Sequence, residues 1–131
     1  MTTDTNTAWS DVAALEDAQQ VAWITEHGRN ANEGTRRDWM RDFIAGTLEQ
    51  DEDNRTKLMR NFLSSLLTME DTEARPYAAD FQWTLDHAKG AVAFAVIQSL
   101  HTGARGLPVD DTMRLGHVWP RVFGKDIAAT V

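Results

Sequence analysis

The chain contains no cysteine. That single absence excludes disulfides, thiolate nucleophiles and cysteine-ligated zinc. Proline is scarce, three in 131 residues, and strand-like alternation of apolar and polar residues hardly occurs. Basic residues are in deficit, 13 Lys and Arg against 20 Asp and Glu, for a formal net charge of −7. A surface of that sign argues against general binding to nucleic acid or to anionic membranes. Long apolar runs are missing too. The most apolar stretch, Gly90 to Leu100, is too short to span a hydrocarbon core of about 30 Å. The opening residues, MTTDTNTAWS, have no basic n-region and no apolar h-region, so the cytoplasm is the expected location.

Catalytic signatures are also lacking. Ser10, Ser64, Ser65 and Ser99 occur without a GxSxG elbow, and the glycines match neither GxGxxG nor GxxxxGK[ST]. Neither HExxH nor the Glu-x-x-His pair of di-iron bundles is present. Asp51–Asp53 and Glu70–Glu73 flank opposite ends of one expected helix, about 25 Å apart by rise per residue. His87 and His101 fall on one expected helix about 21 Å apart, too far to share a metal ion. His27 and His117 sit near expected helix ends, where a cationic ring is favoured. No catalytic residue, metal ligand or cofactor is therefore expected.

What is present is helical periodicity. Ser10 is placed to cap a first helix that runs to about His27 and stops at Gly28. Thr35, with Asp38 three residues on, opens a second whose apolar face is Trp39, Met40, Phe43, Ile44 and Leu48. The acidic run Glu49 to Asp53 reads as the start of a third, from about Asp53 to Met69. Its stripe is Leu58, Met59, Phe62, Leu63, Leu66 and Leu67, with Arg55, Lys57 and Arg60 on the wet side. Pro76 suits the first turn of a fourth, spanning about residues 76–102. On that helix Phe81, Leu85, Ala88, Val92, Ala95 and Ser99 form one stripe. Trp83, His87, Gly90, Phe94, Ile97 and His101 form an opposed one, so the helix is expected to be sandwiched at the centre of the fold. Asp110 caps a short fifth helix that Pro120 ends, with Met113, Val118, Trp119, Val122 and Phe123 turned inward. The expectation is an all-α bundle of four main helices plus a short fifth. It occupies residues 10–124, between a mobile tail at 1–9 and a second tail at 125–131.

Five tryptophans in a chain with one tyrosine are the most unusual count. Each can anchor the core, but Trp is also enriched at partner surfaces. Trp9, ahead of the first helix, is the one most expected to be exposed. Acidity is uneven. Residues 1–27 carry five acids and no Lys or Arg, and residues 49–73 carry seven acids against three bases. Together these features point to a non-catalytic interaction protein: a small acidic regulator, adaptor or inhibitor of the kind encoded by phages and mobile elements. The candidate surface is Trp9, Trp39, Trp83, His87, Phe94 and His101. Two alternatives stand beside it. One is a small-ligand or metal-binding bundle, or an enzyme, with its site near Trp83, His87 and Phe94; the other is a self-assembling subunit that pairs with copies of itself.

Overall fold

The computed structural model describes residues 8–31 and 33–124, with the side chains of Glu33 and Gly34 left aside. All regular structure in it is helical: α1 (Trp9–Ala13), α2 (Asp17–Asn30), α3 (Glu33–Leu48), α4 (Glu52–Leu67), α5 (Asp71–Asp86), α6 (Gly90–Ala104) and α7 (Val109–Val118). A last helical turn covers residues 120–124. The all-α expectation holds, although the described helices outnumber the five expected. Both expected tails lie largely outside the described residues, but Trp9 belongs to α1.

The centre of the fold is α4, not the stretch 76–102. Its periodic stripe buries Leu58, Met59, Phe62, Leu63 and Leu66, and it packs against α1, α2, α3, α5, α6 and α7. Asp51 caps it, its carboxylate accepting from the Asn54 amide at 2.8 Å. The acidic run therefore serves the helix N-terminus, where orphan amides and the dipole favour negative charge.

The expected helix over 76–102 is two helices. α5 starts at Asp71, so Pro76 lies inside it rather than in its first turn. It ends at His87, and Lys89 is extended (φ −63°, ψ 146°) immediately before Gly90 opens α6. The His87 amide and ring Nδ1 both bond the carbonyl of Trp83, at 3.1 and 2.8 Å. The side chain thus closes the last turn of α5, and Gly90 weakens any continuation. Nor is α6 sandwiched. Val96, Leu100, Gly103 and Ala104 are buried, while Phe94 on the outer face is 69% exposed.

The expected first helix is also broken, at Ala14–Glu16. Lys57 Nζ from α4 donates to the carbonyls of Ala13 and Leu15, and Gln20 Nε2 donates to Val12 O at 2.8 Å. These side chains satisfy carbonyls that a continuous helix would have bonded itself. Gly28 does not stop α2. It is buried within the helix, and a Cβ there would meet Tyr77 Cε1 at an ordinary 3.6 Å. After α7, Trp119 turns the chain (φ −138°, ψ 67°) ahead of Pro120. Val118, Trp119, Val122 and Phe123 point inward as expected, but Met113 is 37% exposed. Arg114 of α7 seals the α4–α5 corner: it donates to Leu67 O at 2.6 Å, to Met69 O, and to Asp71 at 2.9 Å.

A buried polar chain ties α2 to α4. Asn61 Nδ2 donates to Gln20 Oε1 at 2.8 Å and to Asp17 Oδ1 at 3.1 Å. The hydrogen bond from Asn61 holds the Asp17 carboxyl below its ordinary pKa, against the opposing effect of burial. Asn61→Ala leaves the fully buried Gln20 oxygen without this donor, and urea unfolding should show a loss of about 1–2 kcal/mol. Because the folded pKa of Asp17 is depressed, its share of that stability is present above the unfolded pKa. It disappears as pH falls through the folded value, so the gap between wild type and variant should narrow in acid.

Candidate functional site

α3 carries Ile44, Ala45 and Leu48 on one edge. Opposite them the end of α5 and the turn into α6 present Trp83, His87 and Val92. Between these walls lies a groove of about 490 Å³. Its lining is mostly apolar, and Arg41 and Glu49 stand at the rim. The break between α5 and α6 creates it. A continuous helix through residues 87–89 would have no corner there to form the second wall.

Trp83 is fixed on two sides. Its ring stacks on His87, with centroids 3.8 Å apart and an interplanar angle of 20°. The Arg37 guanidinium lies 4.1 Å from the ring centroid, a cation–π contact. Arg37 Nε also donates to Asp80 at 3.2 Å, and Arg36 Nη1 donates to the second oxygen of Asp80 at 2.9 Å. Arg36 in turn lies 4.3 Å over the Tyr77 ring. The basic cluster on α3 thus clamps α3 to α5 and sets the angle of the groove wall. Since a carbonyl oxygen only accepts, His87 Nδ1 is the donor in the bond to Trp83 O.

Of the six candidate surface residues, only Trp83 and His87 meet. Trp9 is half-buried rather than exposed: it stacks on Phe43 (centroids 5.3 Å, 28°) and meets Trp23 edge-on at 5.3 Å. Its indole occupies the space over Gly46, where an added Cβ would come within 2.2 Å of the ring. Trp39 is buried and also stacks on Phe43, with centroids 5.4 Å apart. His101 tilts against Phe123 at 5.5 Å. Phe94 projects from the outer face of α6.

The groove's far wall escapes a sequence reading, because Ile44 and Leu48 fit the periodic core face of α3. One local signal was available. Trp23–His27 repeats the Trp83–His87 spacing, with the same stack (3.8 Å, 19°) and the same Nδ1-to-carbonyl bond of 2.8 Å. A Trp followed four residues later by His on a helix forms a compact, self-bonded unit. The carboxylates at the ends of α4 do not converge: Asp71 pairs with Arg114, and Glu73 with Arg29, each at 2.9 Å. Among the described residues no three His, Asp or Glu side chains form a group able to hold a metal ion. No protein-family model, no curated protein and no solved structure matches the chain, so the groove is interpreted from its own residues.

Proposed function

We propose that the protein is a non-catalytic interaction module, a small acidic regulator, adaptor or inhibitor that holds a basic protein partner in the groove between α3 and the α5–α6 corner. The observation that supports this most is the groove's build: an apolar recess framed by a clamped tryptophan and a charged rim. That is the anatomy of a site that takes an apolar side chain and excludes water around it. Rigidity of the wall lowers the ordering cost of binding. The rim also suggests the partner's chemistry. Glu49 leads into the exposed acids Asp51, Glu52 and Asp53, so the matching segment carries an apolar residue flanked by Lys or Arg.

A photo-crosslinker at position 45 should give one discrete adduct in the native host. The partner identified from it, purified and titrated, should bind at least about tenfold more weakly to Ala45→Glu, which places a carboxylate in the groove. Ala22→Glu, on the exposed face of α2, should bind as the wild type does. Affinity should fall as salt rises. A partner indifferent to Ala45→Glu, or no adduct at all, would overturn the assignment.

A further inference from the structure

The break between α1 and α2 falls where the chain has no local reason to break. Ala13, Ala14, Leu15 and Glu16 are all strong helix formers. From Trp9 to His27 there is neither proline nor glycine, and the stripe Val12, Leu15, Ala18 and Ala22 continues at helical spacing. Local preference is for one helix; the fold imposes two. A conflict of that kind marks a segment with a second accessible arrangement. What bends the chain is tertiary. Lys57 Nζ donates to the carbonyls of Ala13 and Leu15, and Gln20 Nε2 to that of Val12. In a straight helix the carbonyls of Val12, Ala13 and Leu15 would instead accept from the amides of Glu16, Asp17 and Gln19. Both arrangements therefore satisfy them.

The seat that α1 occupies is built by other elements. Trp9 stacks on Phe43, meets the edge of Trp23 and covers Gly46, where a Cβ would come within 2.2 Å of its ring. Phe43 and Gly46 belong to α3, Trp23 to α2 and Lys57 to α4. α1 has five residues, too few to stay helical alone. It keeps its form through this seat or as an extension of α2.

We propose that α1 is an exchangeable arm. In the monomer it folds back onto its own copy. In a dimer it straightens with α2 into one helix over residues 9–30 and enters the same seat on a second copy, each copy exchanging its arm with the other. A lone straightened chain would leave Val12 and Phe43 wet, both now buried, and would part Trp9 from Trp23. A second copy's arm restores those ring contacts, because it is the side-chain set the seat already fits. Reciprocal exchange closes the assembly at two copies. The link from Ala14 to Glu16 is short and turns sharply, the kind of hinge that favours swapping.

Light scattering and spin-label distances on the full chain, refolded from urea at high and at low protein concentration, test this. The chain has no cysteine, so labels on Ser10→Cys and Asn30→Cys, both at exposed positions, report one distance when labelled copies are diluted into unlabelled ones. A straight helix puts these positions about 30 Å apart and Trp9 about 21 Å from Trp23; the bent arm, with those two rings in contact, gives a shorter distance. Dilute protein should be monomeric with the short distance, and concentrated protein should contain dimers with the long one. Lys57→Met removes a donor that only the bent state uses, and should tighten dimerisation at least about tenfold. Glu16→Pro fits the bent backbone, where φ is −65°, but breaks the straight helix, and should weaken dimerisation about a hundredfold or more. Should Lys57→Met fail to fold, wild type against Glu16→Pro decides. The proposal is overturned if wild type and Lys57→Met both stay monomeric at high concentration, if dimers keep the short distance, or if Glu16→Pro dimerises as the wild type does.

Discussion

Phe62→Ala should cost about 4–5 kcal/mol, the upper part of the range for deleting a buried aromatic side chain. Phe62 is 2% exposed and stands where three elements meet. Its ring stacks on Phe81 of α5 at 4.5 Å, meets Phe43 of α3 edge-on at 5.7 Å, and meets Trp119 edge-on at 6.4 Å. Truncation removes the transfer free energy of the ring and opens a cavity. The cost of a cavity depends on whether its walls can move in. Here the walls are rings on α3, on α5 and on the turn after α7, each held by further ring contacts: Phe43 stacks on Trp9 and Trp39, and Trp119 meets Phe81 and Phe123 edge-on. They cannot all collapse into one void. Aromatic pairs also carry about 0.5–1.5 kcal/mol each beyond area burial. Against a total of about 5–15 kcal/mol for a domain of this kind, the loss is severe, and Tm should fall by about 10–20 °C. Phe62→Leu, which keeps most of the volume, should lose less than half as much. A cost below about 2 kcal/mol for the alanine variant would mean that the rings do not converge on Phe62.

The same helix shows what a sequence reading captures. Of the stripe Leu58, Met59, Phe62, Leu63, Leu66 and Leu67, all but the half-buried Leu67 are buried, whereas Arg55, Lys57 and Arg60, expected on the wet side, are half-buried and Lys57 reaches the carbonyls of Ala13 and Leu15. Burial of a face is encoded locally, so periodicity finds it. Where helices break is not. From Pro76 to Thr102 the pattern continues without a proline or a Gly pair to punctuate it. The break at His87–Lys89 depends on a ring bonding back to Trp83 O and on α6 packing across α4, and only the second of these decides the new direction. The break at Ala14–Glu16 likewise depends on Lys57, more than forty residues away in sequence. The groove inherits this. Trp83 and His87 stand out as polar-tipped aromatic groups on an apolar stripe, whereas Ile44 and Leu48 look like any other core face until the corner opposite them exists.

Glycine shows the limit most sharply, because two buried helical glycines should answer the same substitution with opposite signs. A Cβ on Gly103 would lie 2.9 Å from the backbone nitrogen of Arg60 and 3.1 Å from its Cα and Cβ. Those atoms are the body of α4 and cannot rotate aside as the tip of a side chain would. Relief requires α6 to move off α4, opening the contact that buries Val96 and Leu100. Gly103→Ala gains about 1 kcal/mol of helix propensity and loses more to overpacking, for a net cost of about 2–3 kcal/mol. At Gly28 the same Cβ meets Tyr77 Cε1 at 3.6 Å and the Trp39 ring at 3.8 Å, ordinary contact distances. Gly28→Ala should therefore be stabilising by up to about 1 kcal/mol, from propensity and reduced freedom of the unfolded chain. Paired urea titrations read both effects, and unchanged m-values would assign them to the native state's stability rather than to altered compactness. A stabilising Gly103→Ala would mean that α4 and α6 do not cross this closely. A strongly destabilising Gly28→Ala would mean that Tyr77 and Trp39 press harder on α2 than their distances indicate.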